Sequence, residues 1–160
     1  MTYHIRVATA ADVAPILVLF PRLAAFELPS QRSPEDLWQG DAELLQRWST
    51  GAVPQCLVYV AESSNQAILG VAIAQLRPEL LSHMPSAHLE VLVVGDGAEG
   101  QGIGKALINI VEQAVWERGA GSMTLHVFRT NSRARALYER LGYLGELIRY
   151  IKYLPGDSAK

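Results

Sequence analysis

The sequence predicts a single mixed α/β domain of the α+β kind, a mostly antiparallel central sheet flanked by helices. Three observations predict it. The chain has 160 residues, 49% of them apolar, and a chain of that length can bury roughly 70% of its unfolded surface in one core without staples. Several short runs alternate apolar and polar residues, as half-buried strands do. One long amphipathic helix follows directly on a glycine-rich turn. No repeat, low-complexity tract or linker divides the chain, so the domain is expected over residues 1–154, with 155–160 a frayed tail.

The elements follow in order. Tyr3, Ile5 and Val7 alternate with polar neighbours as a first strand. Thr9 and Asp12 offer helix-start chemistry, and Ala11 to Phe20 reads as a largely buried helix ended by Pro21. Ser33-Pro34-Glu35-Asp36 combines a capping hydroxyl, a proline at the first helical position and two first-turn carboxylates. That helix is expected to break near Gly40, with a second piece over Ala42 to Trp48. Gln55 to Ala61 and Ala67 to Gln75 flank a polar turn and read as an antiparallel hairpin. Ala87 to Val94 is the fourth strand. Ile103, Leu107, Ile110 and Ala114 place one apolar stripe on the long helix, which stops at Arg118-Gly119. Met123, Leu125 and Val127 alternate with Thr124, His126 and Phe128 as a fifth strand. A short helix over Ser132 to Leu141 ends at Gly142, and Glu146 to Leu154 reads as a last strand.

Composition excludes several classes. Fourteen basic against sixteen acidic residues leave a net charge of −2, which argues against nucleic-acid or anionic-membrane binding. The lone Cys56 cannot form an internal disulfide or a thiolate metal cluster, and points to a reducing cytoplasm. The start Met-Thr-Tyr-His-Ile-Arg lacks the order of a signal peptide, and no apolar run approaches the roughly 20 residues of a membrane span. The four histidines have no ligand spacing, so no metal is expected.

The informative segment is Val93-Val-Gly-Asp-Gly-Ala-Glu-Gly-Gln-Gly-Ile-Gly-Lys-Ala-Leu107, a strand passing through glycines into the long helix. Glycines allow tight turning and close approach. The first helical N–H groups are unpaired and carry the positive end of the dipole, so an anion is the natural guest. By spacing alone a plain glycine turn is an equal alternative. Lys105 precedes Ala106, not Ser or Thr, so the segment is no P-loop, and Gly95-Asp-Gly-Ala-Glu-Gly100 lies before the helix, out of Rossmann register.

Glu99-Gly-Gln-Gly-Ile-Gly104 after a strand ending in Val94 resembles the core motif Arg/Gln-x-x-Gly-x-Gly/Ala of the GNAT superfamily of acyl-CoA-dependent N-acyltransferases. Asn131-Ser-Arg-Ala134-Arg-Ala-Leu137-Tyr138-Glu-Arg-Leu-Gly142-Tyr143 is similar to a second motif of that family, which runs Asn-x-x-Ala-x-x-Leu-Tyr to Gly-Phe/Tyr. The resemblance covers about Ala87 to Leu154. It implies acetyl-coenzyme A as cosubstrate, with the pyrophosphate on the amides of Gly100, Gln101, Gly102, Ile103, Gly104 and Lys105. It implies that Leu92, Val93 and Val94 offer backbone groups to the pantetheine arm where the fourth strand splays from the fifth. Asn131 would add an amide contact, within the motif that carries Ala134, Leu137 and Tyr138. The departure is Glu99, where the family has Arg or Gln. A carboxylate pointing inward would repel phosphate, so it is expected to turn to solvent.

Acyl transfer to an amine needs a neutral amine, a donor for the oxyanion and a proton for the leaving thiolate. Tyr138 matches the family's general acid; the alternative is a tyrosine packed beside Leu137 and Leu141. The oxyanion donor falls near Leu92. Glu90, two residues earlier and so expected on the same face, is a candidate base acting directly or through water. It could instead bind the substrate's ammonium. His88 shares that face and is a second candidate. His83 would line the acceptor entrance, and His126 would be a structural core residue. Cys56 reads as core, and Trp116 is expected to pack on the long helix. Phe26, Trp38 and Trp48 would wall the acceptor pocket or fill the core. Asp36, Asp41 and Glu43 read as helix-start or solvated groups, with recognition of a cationic acceptor as the alternative.

The expected activity is transfer of an acetyl or related acyl group to a primary amine of a small molecule or peptide, by direct attack in a ternary complex. Another acyl donor or a non-amine acceptor is the rival enzyme reading. An acyl-CoA-binding sensor module is the rival class, and a homodimer is left open. Four arginines against Glu139 between Arg129 and Arg140 are expected to meet the cofactor's outlying phosphate or its surroundings.

Overall fold

The computed structural model describes residues 2–156. Strand β1 (Tyr3–Val7) leads through a 3-10 turn (Ala10–Asp12) into α1 (Val13–Leu19), continued by a second 3-10 turn (Phe20–Ala24). A third 3-10 turn (Pro34–Leu37) precedes α2 (Gln39–Ser49). Then come β2 (Cys56–Ser63), β3 (Ile68–Pro78), β4 (Pro85–Val94), α3 (Ile103–Glu117), β5 (Met123–Leu125) and α4 (Ser132–Arg140). The sheet order is β1-β2-β3-β4-β5, with every pair antiparallel except β4 and β5, which run parallel. Among the described residues, no helix is long and apolar enough to cross a membrane.

The start signals read from the sequence act as caps. The Asp12 carboxylate accepts from the Thr9 amide at 2.7 Å, and Asp36 accepts from the Ser33 amide at 2.9 Å. Each satisfies an N–H that the turn itself leaves unpaired.

Two apolar layers clothe the sheet. On one face Ile16, Phe20, Leu44 and Leu45 of the α1–α2 region bury against Val58, Val60, Val71, Ile73, Val91 and Val93. On the other, Ile103, Leu107, Ile108, Val111 and Val115 of α3 lie on Ala61, Ala72, Ala74, Ala87 and Leu89. The small residues beneath α3 let it approach closely: a Cβ on Gly70 would stand 3.1 Å from the Ile103 side chain and from the Val93 carbonyl. Each fully buried Leu or Ile here is worth about 1.5–3 kcal/mol.

One irregularity decides the shape of the site. β3 and β4 pair Ala74 with Leu89 but Ile73 with Val91, so Glu90 is the extra residue of a bulge. Upstream of it Ala87 and Leu89 face α3, whereas downstream Val91 and Val93 face α1 and α2. The ladder to β5 covers only Ala87, His88 and Leu89 and ends where the bulge bends β4 away.

Several expectations from the sequence are corrected. Gly40 does not break the second helical region; it lies in the first turn of α2, where the amides need no intrahelical acceptor. β5 stops at Leu125, because β4 turns away. The last strand, Glu146 to Leu154, is not formed: the segment is exposed and has no neighbouring strand with which to share hydrogen bonds. On α3 Ile103, Leu107 and Ala114 are buried as expected, joined by Ile108, Val111 and Val115, while Ile110 is exposed. Trp116 also faces outward, because the α3 stripe turns it away from the sheet. Of the frayed tail, residues 155–156 form a turn, and 157–160 lie outside the described residues.

Candidate active site at the β4–α3 turn

Between β4 and α3 the chain turns through a run of glycines. Gly97, Gly100 and Gly102 all adopt left-handed backbone, with φ of 81°, 78° and 77°. A side chain there would be strained whatever the room available. A Cβ on any of the three would meet nothing within 4 Å, so conformation and not crowding calls for glycine here. None of the amides from Glu99 to Lys105 donates a backbone hydrogen bond to another described residue; the first helical bond runs from the Ala106 amide to the Gly102 carbonyl, at 3.0 Å. The side-chain oxygen of Gln101 is buried without a partner. Converging unpaired donors at the N-terminus of a fifteen-residue helix fit a pyrophosphate.

The cradle continues into a slot. Past the bulge, Leu92, Val93 and Val94 pair with β3 on one side and with no strand on the other. One expected offer is already taken, since the Val94 carbonyl accepts from Arg22 Nε at 2.8 Å, and because the Gly95 amide bonds the Leu69 carbonyl, the alternation of the ladder commits Val93 to β3 and leaves Leu92 for an extended ligand. α4 forms the far wall, since a Cβ on Gly104 would lie 3.6 Å from Leu137, 3.9 Å from Leu92 and 3.9 Å from Val94. Asn131 is the N-cap of α4, its Oδ1 accepting from the Ala134 amide at 3.3 Å. Only its amide NH₂ remains for a ligand.

Glu99 is exposed, as expected, but it is not free. Its carboxylate is ion-paired with Arg22, from the 3-10 turn after α1, and with Arg133 of α4 at 2.8 Å. Arg133 foremost, then Arg22, hold it below the usual carboxylate range. Arg133 is thus the member of the basic segment that reaches the cradle. Arg135 instead bonds the Arg129 carbonyl at 2.9 Å and pairs with Glu139.

Tyr138 is largely buried, and burial pushes its hydroxyl up to about 12. Its ring meets Tyr143 edge-on at 5.9 Å, and Tyr143 donates to Glu112 of α3 at 2.7 Å. Glu90 is not on the Leu92 face as the simple alternation suggests, because the bulge intervenes; Leu92 packs with the α3 layer. Glu90 accepts from Gln75 Nε2 at 3.2 Å and lies 3.5 Å from Arg77. Asp41, in the first turn of α2, is pushed up to about 7, first by burial and then by the charge of Glu90. The sequence offers no sign of this beyond a helix-start carboxylate. Arg22, similarly, carries no signal of its own.

The histidines separate. His88 is buried, with Nδ1 2.7 Å from the Thr124 hydroxyl, and burial together with Arg77 pushes it down to about 4. His126 is exposed, its ring 4.6 Å from that of His88, and is not the core residue expected, because β5 ends before it. His83, on the β3–β4 loop, lines a depression with Arg77, Pro85 and Arg118 at the start of β4, away from the glycine turn. The Cys56 thiol is buried and pushed up to about 12, as befits a core residue. Trp38 and Trp48 pack against the α1–α2 layer, and Phe26 stacks on Phe128 at 5.5 Å.

A bulged, splayed strand feeding an unpaired-amide helix start defines a class of protein that holds an elongated anionic ligand in an α/β cleft. The particular family follows from comparison: residues 22–143 match the model of the Acetyltransferase (GNAT) family, and the chain belongs to that family. Over 58 residues it is 40% identical to a mycothiol acetyltransferase of Beutenbergia cavernae, a stretch covering 36% of this chain and 20% of that protein. The chain therefore spans only about a fifth of the length of that curated relative. Among solved structures it resembles a ribosomal-protein-alanine N-acetyltransferase from Brucella melitensis, with a TM-score of 0.70 and 20% identity over 96% of this chain and 99% of that one. It also resembles AAC(6')-Iy bound to a bisubstrate analogue, CoA-S-monomethyl-acetylneamine, with a TM-score of 0.68 and 20% identity over 96% and 100% of the two chains. At these identities the likeness is one of fold.

Proposed function

We propose that residues 1–154 form a domain that transfers an acetyl or related acyl group from acyl-coenzyme A to a primary amine of a small molecule or peptide, by direct attack in a ternary complex. The observation that carries this reading is the run of unpaired amides from Glu99 to Lys105 meeting the unpaired edge of β4 at Leu92. When bound, the cofactor supplies an acyl thioester and a thiolate leaving group. The amides from Gly100 to Lys105 would hold its pyrophosphate, the Leu92 backbone would align its arm, and the Asn131 NH₂ would steady that arm.

The remaining roles fall to side chains around the cleft. Tyr138 keeps its proton far above neutral pH and so can hand it to the departing sulfur. A free β4 amide near Leu92 faces the developing oxyanion. On the acceptor side, burial first and then the charge of Glu90 disfavour the ionised form of Asp41. Asp41, pushed to about 7, exchanges a proton at working pH and accepts the one the ammonium must lose, while Glu90 holds the amine by charge. His88, tied to Thr124 and kept neutral, shapes the wall. Glu99, the departure from the family motif, is paired with Arg22 and Arg133, which supports phosphate binding beside it.

Thermal denaturation and thiol release test the reading together. Acetyl-CoA at about 100 times its Kd should add about 2.7 kcal/mol and shift Tm by several degrees. Coenzyme A thiol should appear with at least one amine from a panel of polyamines, aminoglycosides, amino acids and peptides. Tyr138→Phe should lower kcat by about a hundredfold or more and keep the acetyl-CoA shift. No shift for the wild type overturns the cofactor site, a shift with no thiol release on any amine supports a binding module, and an unaffected Tyr138→Phe removes the acid.

A further inference from the structure

No polar group aims the hydroxyl of Tyr138. Burial alone pushes that hydroxyl up, and among the described residues it makes no hydrogen bond. An acid has to stand within about 2.6–3.2 Å of the atom it protonates, and a misplacement of about 1 Å can cost about a hundredfold in rate. The direction of this hydroxyl is therefore set by whatever holds the ring.

The hold begins at the end of α4. Gly142 is left-handed, with φ of 93°, and its amide donates to the Glu139 carbonyl at 3.1 Å. The Tyr143 amide then reaches back to the Tyr138 carbonyl at 3.0 Å. These two bonds make the Schellman ending of a helix, in which the residue after the glycine packs back on the last helical turn. Here both packed residues are tyrosines. Their rings meet edge-on, with centroids 5.9 Å apart and planes at 68°, a favoured aromatic arrangement.

A helix of nine residues is marginal by itself, so its last turn needs an anchor outside it. The Tyr143 hydroxyl provides one, donating to Glu112 of α3 at 2.7 Å. On that helix Val111 and Val115 are buried against the sheet, so the acceptor is fixed independently of α4. Burial first, and then the Glu112 carboxylate, push the Tyr143 hydroxyl up, so it keeps its proton and goes on donating. Glu112 is half-buried and, among the described residues, pairs with no cation. A carboxylate in that setting is costly unless its hydrogen bond is put to use.

We propose that Glu112 and Tyr143 are positioning residues for proton transfer, locking the Tyr138 ring so that its hydroxyl faces the departing sulfur. The inference rests on the reading of Tyr138 as the acid. The proton passes from the Tyr138 oxygen to the coenzyme A sulfur, and the phenolate left behind recovers one from water. Glu112 and Tyr143 exchange no proton themselves and act only through the ring.

A double-mutant cycle on kcat separates this role from a plain staple of α4 onto α3. Thiol release is measured for Tyr138→Phe, Glu112→Ala, Glu112→Gln and Tyr143→Phe, and for Glu112→Ala and Tyr143→Phe each combined with Tyr138→Phe. Glu112→Ala and Tyr143→Phe should each lower kcat about tenfold and keep KM for acetyl-CoA within about twofold. Glu112→Gln retains an oxygen acceptor and should recover most of that loss. On top of Tyr138→Phe neither substitution should lower kcat by more than about twofold, because no acid is left to aim. Equal losses in both backgrounds mark a staple and overturn the proposal. So do single variants with the wild-type kcat, or a Glu112→Gln variant as slow as Glu112→Ala. Should Glu112→Ala unfold, Tyr143→Phe keeps the ring and carries the same cycle. A Tyr138→Phe variant with unchanged kcat, or no thiol release on any amine, removes the acid and this inference with it. A slow Tyr138→Phe beside unaffected Glu112 and Tyr143 variants removes the positioning alone.

Discussion

Glu99 stands at the mouth of an anion cradle without imposing its charge on it, because Arg22 and Arg133 hold it from two sides. Those arginines come from the end of the first helical region and from α4, so the two walls of the cleft are joined through the one residue that departs from the family motif. Removing either arginine leaves a less compensated carboxylate beside the proposed pyrophosphate site. Arg133→Ala should therefore weaken coenzyme A binding by up to about tenfold, as read by calorimetry at low salt. Adding Glu99→Gln to that variant should restore most of the loss. If Glu99→Gln alone weakens binding as much as Arg133→Ala does, the carboxylate is needed in place and is not merely neutralised.

At the scale of elements, the bulge at Glu90 and the three left-handed glycines build the cleft between them. The bulge ends the β4–β5 ladder and frees the Leu92–Val94 edge, and the glycines reverse the chain so that α3 aims its first amides at the same space. Gly102 has φ of 77° with open space around it, whereas Gly104 is helical and a Cβ there would make an ordinary 3.6 Å contact with Leu137. Gly102→Ala should cost about 1–2 kcal/mol through backbone strain alone and lower Tm by roughly 2–8 °C. Gly104→Ala should leave stability nearly unchanged or slightly raised, since alanine favours a helix. Equal losses for the two variants in thermal melts would remove left-handed strain as the reason for the glycine.

Across the whole molecule, two buried groups on neighbouring elements set opposing pH dependences. Asp41 titrates near 7 in the fold against about 3.9 in an unfolded chain, so between these values the native state binds the extra proton. The stability it contributes is full below about pH 4 and lost as pH rises through 7. His88 titrates near 4 in the fold against about 6.5 unfolded, so here the unfolded state binds the extra proton. Its contribution is full above about pH 6.5 and lost as pH falls through 4. Each pH unit of displacement is worth about 1.4 kcal/mol, and between pH 4 and 6.5 the two slopes oppose each other. Asp41→Asn should gain on the wild type progressively from pH 4 to 7 and by a constant margin above, as measured by urea unfolding at half-unit steps. A difference that does not change with pH would mean that Asp41 is solvated and is not the base.

What the sequence determined by itself was local. The alternation of Tyr3, Ile5 and Val7, the caps at Thr9–Asp12 and Ser33–Asp36, the glycine turn into α3 and the Asn131–Ala134 cap are all written within a few residues, because period and capping depend on near neighbours. The motifs around Gly100–Gly104 and Asn131–Tyr143 located the cleft for the same reason. What only the tertiary structure decided depends on pairing over long separations. Arg22 meets Glu99 across 77 positions, Asp41 is buried within reach of the charge of Glu90, and the bulge that breaks the simple alternation along β4 shows only in its register against β3. The segment 146–154 shows the division most plainly. Its apolar, β-branched and aromatic residues declare a strand, but a strand is completed by hydrogen bonds to another, and which edge supplies them is a property of the assembled fold.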